Sequence, residues 1–156
     1  MSTAEIPSHL EPVDISRDDN KKRVDGVTIV PWSRGRQLAW DATCVDPLCL
    51  SYLHGSSRQS CFAADRAAVN KRNLYRTVCN MYHFVAFAVD CFGGWSKEAK
   101  TFGFDLGRRM SNCTGERRSL SFFRQRISIA IQRGNSASIL GTIPSDISMD
   151  EVYYLK

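Results

Sequence analysis

From Val24 onward the chain alternates short apolar runs with polar breaks, and the period of each run assigns an element. VTIVPW and QLAWDATCV are joined by SRGR, a polar turn containing Gly. They predict a β-hairpin with strands over Val27–Trp32 and Gln37–Val45. DPLCLSYLHGSSRQS has turn residues at both ends and predicts an irregular connection with one short helical turn at LCLSYL. Phe62 to Asn80 has no Pro or Gly and is rich in Ala, which predicts a helix with Ala64, Ala68, Tyr75 and Val78 on or near one stripe. Lys71 and Tyr75, four residues apart, fall on one face of it. HFVAFAVDCF is too continuously apolar for a half-exposed strand and predicts a central strand covered on both faces, ended by Gly93 and Gly94. Ser96 is placed to cap a helix running to about Arg109, and Asn112–Glu116 reads as a turn. Ser119 or Ser121 then caps a last long helix whose apolar face holds Phe122, Phe123, Ile127, Ile129 and Ile131. Gly134-Asn135 is expected to kink or stop that helix, with SASIL as a second short one. Hairpin, helix, strand, helix, helix is the order of an α/β (α+β) domain, a small mixed central sheet flanked by helices.

The chain has 156 residues, 43% of them apolar, which suits one domain with a real core. Residues 1–23 are polar and read as a flexible leader or the remnant of an upstream region, 24–142 as the folded domain, and 143–156 as a C-terminal tail. No apolar run is long enough to span a bilayer and the opening MSTAEIPSHLEP is unlike a signal peptide. The expectation is an intracellular protein, cytoplasmic or nuclear, with no membrane partner. Cys44, Cys49, Cys61, Cys79, Cys91 and Cys113 mostly lie in apolar segments and are expected as reduced core residues. Without a CxxC pair, and with only His9, His54 and His83, zinc is disfavoured. Cys44, Cys49, His54 and Cys61 form the one conceivable exception, at loose spacing.

Charge changes the picture through its distribution rather than its sum. The formal +5 comes from 21 basic and 16 acidic residues, yet Arg108 to Arg133 carries Arg108, Arg109, Arg117, Arg118, Arg124, Arg126 and Arg133 against Glu116 alone. Guanidinium forks match phosphate geometry, so Arg117, Arg118, Arg124, Arg126 and Arg133 are candidates for holding a nucleic-acid backbone; a solvated helix face is the plain alternative.

Asp25 and Asp41 carry the strongest chemical signal. They bracket the hairpin, so that a residue just before the first strand and one late in the second meet at one edge of the sheet. Two carboxylates there could share a hard cation, Mg²⁺ or Mn²⁺, whose bound water attacks a phosphodiester. Turn and edge residues are the alternative.

Asp25 before an apolar strand, Asp41 in the strand W-D-A-T, and a helix carrying Lys71 and Tyr75 together resemble the PD-(D/E)xK nuclease pattern. More specifically, KRVDGVTIVPWSRGRQLAWDATCVD, YHFVAFAVDCFGGWSKEAKTF and SFFRQRISIAIQRGNSASILGT resemble the domain that follows reverse transcriptase in polyproteins of animal non-long-terminal-repeat retrotransposons, over about residues 21–142. The resemblance implies a restriction-endonuclease-like core with Asp25 and Asp41 as metal ligands. It also implies Mg²⁺ or Mn²⁺ as cofactor, and DNA, or RNA, and other parts of a retroelement polyprotein as partners. Val24 stands where the pattern has Pro, and Thr43 where it has the catalytic Lys; Thr cannot supply that positive charge. The retrotransposon nucleases resemble a variant whose basic residue comes from the following helix, which implies that role for Lys71 with Tyr75 beside it. Superfamily members often add a Glu from an upstream helix, and the segment around Glu11 does not look like one. The implied activity is a metal-dependent endonuclease that nicks target DNA. The alternatives are a degenerate or domesticated, non-catalytic nucleic-acid-binding domain, and a protein-interaction domain using Trp32, Trp40 and Trp95.

Overall fold

A computed structural model of the chain describes residues 6–12, 15 and 23–142. The expected tail, 143–156, lies outside the described residues. Strand β2, Gly26–Ser33, turns back through Arg34 and Gly35 into β3, Arg36–Val45. Both turn residues have positive φ (49° and 74°), the twist a two-residue hairpin needs and one that Gly adopts at little cost. Pro31 cannot donate to the ladder, and the register shifts on either side of it. Side chains patch the gap: the buried Thr28 hydroxyl accepts from Leu38 N at 2.9 Å and donates to Val30 O at 2.7 Å. The residues expected as a leader supply β1, Ser8–Leu10, antiparallel to β2 at the sheet's outer edge.

Three helices carry the chain from β3 to its parallel neighbour: α1, Leu50–Ser56, α2, Phe62–Leu74, and α3, Arg76–Met81. The first replaces the single expected turn. The second and third replace one expected helix over 62–80, because the backbone bends at Tyr75 (φ −106°, ψ 34°). Tyr75 is buried with its ring 5.3 Å from that of Phe84, and this anchoring in the core overrides a locally unbroken helical preference. Strand β4, His83–Asp90, then pairs with β3 from Leu38↔His83 to Val45↔Asp90. The sheet order is β1-β2-β3-β4, so the apolar strand lies at an edge, contrary to its expected central place, although both of its faces are covered.

Alternation sorts the strands' side chains into two cores. Ala39, Phe84, Ala86 and Ala88 meet Ala67, Ala68, Tyr75 and Val78 of the α2–α3 layer. Leu38 and Val85 meet Trp32 together with Phe102 and Leu106 of α4, Lys97–Thr114. The second layer is aromatic: Phe87 lies 5.1 Å from Trp95 and 6.1 Å from Phe102, centroid to centroid. Ser96 caps α4 as expected, accepting from Ala99 N at 3.1 Å. The helix runs past Arg109 to Gly115, whose left-handed conformation ends it and replaces the expected turn. Helix α5, Ser119–Leu140, packs on α4 where Gly107 leaves room for Leu120. It is continuous through Gly134-Asn135, and Asn135 donates to Cys91 O at 2.8 Å. Neither Ser119 nor Ser121 caps it; the Ser119 hydroxyl donates to Glu116 O at 2.7 Å. Phe123, Ile127 and Ile131 face inward, whereas Phe122 and Ile129 are exposed.

The six cysteines are free, but none is buried, contrary to their expected core role. Partial burial still pushes the Cys79 and Cys91 thiols up from their ordinary value, which disfavours the reactive thiolate. No helix among the described residues is long and apolar enough to cross a membrane.

An edge strand leaves backbone groups unpaired, and β4 has them met by an ion pair. Arg72 Nη2 donates to Phe84 O at 3.2 Å, Glu98 Oε1 accepts from Ala86 N at 3.0 Å, and the two side chains bind each other at 2.6 Å and 2.9 Å. This hydrogen bonding holds the Arg72 guanidinium even more firmly in its charged form. Glu98→Ala is expected to destabilise the fold by about 1–3 kcal/mol in urea unfolding, because it strips Ala86 N and Arg72 of their acceptor. Asp105→Ala, which removes only an exposed i,i+3 contact with Arg108, is expected to change stability by less than about 0.5 kcal/mol.

Candidate functional site

Asp41 is the one acidic side chain of β3, and only 3% of its surface is exposed. It lies two residues from Ala39 and so on the α2 side of the sheet. A carboxylate in such a place is costly unless compensated, and α2 and the residue after it provide the compensation. The Tyr75 hydroxyl lies 3.1 Å from Asp41 Oδ1 and 2.9 Å from Arg23 O, tying β3 to the approach to β2. Lys71 Nζ stands 2.5 Å from Oδ2. That approach lies off the hydrogen-bonding directions, so Oδ2 is neutralised by charge while remaining without a hydrogen bond. Lys71 and Tyr75, four residues apart, both reach Asp41.

Asp25 stands at the same end of the β2–β3 ribbon. Its backbone N donates to Trp40 O at 3.0 Å, and its Oδ2 accepts from Ala42 N at 2.6 Å, taking a ladder position beside Asp41. Unlike Asp41 it is exposed to solvent. Glu11, Arg23, Val24 and Asp25 line a shallow cavity of about 340 Å³, and Glu11 N donates to Asp25 O at 3.0 Å. Glu11 arrives there just after β1, not on a helix, and its backbone meets that of Asp25. Pattern reading missed it because a three-residue strand in a polar segment carries almost no periodic signal. Val24 fills the α2-side core where the resemblance has Pro. Thr43 points the same way as Asp41 by strand alternation and is uncharged, so the cation beside this carboxylate comes from helix α2.

Among the described residues no three or more His, Cys, Asp and Glu side chains gather as a metal cluster. Two carboxylates, one buried with an oxygen lacking a hydrogen bond and one open to solvent, nevertheless fit a hard ion of the Mg²⁺ type. Such ions take one or two carboxylates, keep several waters and bind substrate phosphates.

The arginines lie elsewhere. Arg117, Arg118, Arg124, Arg126 and Arg133 are all exposed on or beside α5, which packs on α4, and α4 covers the sheet face opposite Asp41. Arg117 and Arg124 border a groove of about 630 Å³ along α5 with Ser121, Gln125 and Ile129, and the Arg124 guanidinium lies 6.0 Å from the Trp95 ring. The structure thus does not bring this track to the carboxylates. Trp32 and Trp95 are buried and Trp40 half-buried, which makes them packing residues first.

Tyr75→Phe is expected to lower stability by about 1–3 kcal/mol in urea unfolding while leaving the native circular dichroism intact, because a buried carboxylate oxygen and the Arg23 carbonyl lose the single hydroxyl proton they share.

Comparison of the chain with protein-family models, with curated proteins and with solved structures finds no match.

Proposed function

We propose that the domain is a divalent-metal-dependent DNA endonuclease, with Asp25 and Asp41 as ligands for Mg²⁺ or Mn²⁺. One observation carries the reading: the buried Asp41 carboxylate, with Lys71 and Tyr75 on it and one oxygen without a hydrogen bond, stands one residue from Ala42, whose N–H holds the exposed Asp25 carboxylate. A bound ion would supply a polarised water and offset phosphoryl charge. The chain's own contributions are distinct. Tyr75 fixes the Asp41 carboxylate through Oδ1, and the Asp25 carboxylate is fixed by Ala42 N. Lys71 brings a positive charge to the place where a scissile phosphate would gather negative charge, the role Thr43 cannot fill. Because the sheet lies between α5 and Asp41, its arginines would hold a more distant stretch of backbone. Nicking target DNA within a retroelement polyprotein follows from the sequence resemblance.

A second reading, a nucleic-acid-binding domain without catalysis, is favoured by one specific observation: the densest phosphate-compatible surface is the arginine track, on the layer remote from the carboxylates.

The deciding experiment incubates the domain with nicked, single-stranded and branched DNA in Mn²⁺ or EDTA. Cleavage in Mn²⁺ alone, reduced at least about 100-fold by Asp41→Ala, is the expected outcome. Salt-dependent binding with no cleavage of any substrate would select the second reading. Under either, Arg124→Ala with Arg133→Ala is expected to weaken DNA binding evenly across sequences and to flatten the logarithmic salt dependence by about two.

A further inference from the structure

Lys71 occupies an unusual position for a residue whose charge is to serve a substrate. Its ammonium sits on Asp41 Oδ2, the carboxylate oxygen left without any hydrogen bond. Solvent scarcely reaches that oxygen, and Lys71 stands at it. A divalent ion bonded to a carboxylate oxygen sits at about 2.0–2.1 Å, and an ammonium 2.5 Å from the same oxygen would lie against it as a like charge. Sharing Oδ2 would set two like charges beside one oxygen, a repulsion that favours one occupant at a time. We propose that Lys71 is a resident competitor for the divalent ion, so that ion entry and withdrawal of the Lys71 ammonium from Asp41 Oδ2 are a single event. This rests on the proposal that Asp41 is a metal ligand and adds how access to it is controlled.

Three features make Lys71 the partner that yields. Its side chain is 29% exposed on a flexible stem, so the ammonium can move into water at the mouth of the site. The contact is an ion pair without a hydrogen bond, so it rests on charge, which a doubly charged ion supplies more strongly. Tyr75 engages the other oxygen, Oδ1, so the carboxylate keeps its orientation while Oδ2 changes partner. Withdrawal would also turn Lys71 from a structural counter-ion into a free cation next to the site. The ammonium would then be presented to phosphate only once the ion is in place.

The test measures Mn²⁺ binding by titration calorimetry on the intact chain without DNA. Lys71→Met, which keeps the stem and removes the charge, is expected to bind Mn²⁺ about tenfold more tightly than wild type. Lys71→Arg is expected to stay near wild type, and Arg23→Met, which removes a cation from the neighbouring cavity, to change affinity by less than about threefold. Asp41→Asn is expected to abolish binding. As a readout independent of any Lys71 variant, the Lys71 side-chain NMR resonance of wild type should shift with added Mg²⁺, and should not in Asp41→Asn. Asp41-dependent Mn²⁺ binding that Lys71→Met leaves unchanged or weakens, or a Lys71 resonance indifferent to Mg²⁺, overturns the competition and leaves the metal site standing. Absence of Mn²⁺ binding in both wild type and Lys71→Met overturns both.

Discussion

The candidate site depends on how closely α2 lies against the sheet, and alanine sets that distance. Ala39, Ala86 and Ala88 on the strands face Ala67 and Ala68 on the helix, so few side-chain atoms separate the two backbones. The opposite face is built from Trp32, Phe87, Phe102 and Trp95, and a helix there must stand farther off. Packing has to be dense on both faces, and small residues achieve it only by letting the elements approach. The close layer is the one where the side chains of Lys71 and Tyr75 reach a carboxylate on β3.

That approach in turn makes a buried charge tolerable. A carboxylate under an apolar layer is costly without a cation and a donor, and both come from the last turn of α2 and the bend after it. The bend at Tyr75 belongs to the same arrangement. Its ring lies on Phe84 while its hydroxyl spans Asp41 and the Arg23 carbonyl, and a straight helix over 62–80 would carry the following turn away from the core that Val78 fills. The Arg72–Glu98 pair secures the layer from its other side by meeting backbone groups on the edge of β4. Adjacent residues on α2 thus do different electrostatic work, Lys71 on a buried carboxylate and Arg72 on a strand edge.

Much of this was legible in the sequence. The hairpin with its SRGR turn, the Ser96 cap and the layered α/β architecture follow from local rules that tertiary contacts left undisturbed. Asp41, Lys71 and Tyr75, singled out one by one in the sequence, are side chains that meet. What escaped was decided by contacts distant in sequence. HFVAFAVDCF has the composition of a central strand, yet its outer edge is met by side chains of Arg72 and Glu98, which no periodicity reveals. Gly134-Asn135 has the look of a helix stop, but Asn135 finds Cys91 O and the ladder continues. Ser8–Leu10 is too short to register as a strand until β2 is there to pair with it. The arginine run was visible as charge. Its separation from Asp41 was not, because that depends on which sheet face α5 reaches through α4.

A cation supplied from a helix rather than from β3 has a consequence for how such a site would work. A lysine on β3 at the position of Thr43 would share the rigid strand of Asp41, with its placement set by the pleat. Lys71 instead reaches Asp41 from a separate layer, through a partly exposed and flexible side chain. The sheet then fixes the carboxylates, with Asp25 held by Ala42 N and Asp41 by Tyr75, while the positive charge remains the one component free to relocate. Under the nuclease reading this divides the labour cleanly: rigid oxygens for the ion and a mobile cation for the phosphate. Under that reading the chemistry needs no lysine on β3. The positive charge beside Asp41 is supplied by the helix that alanine packing brings within reach.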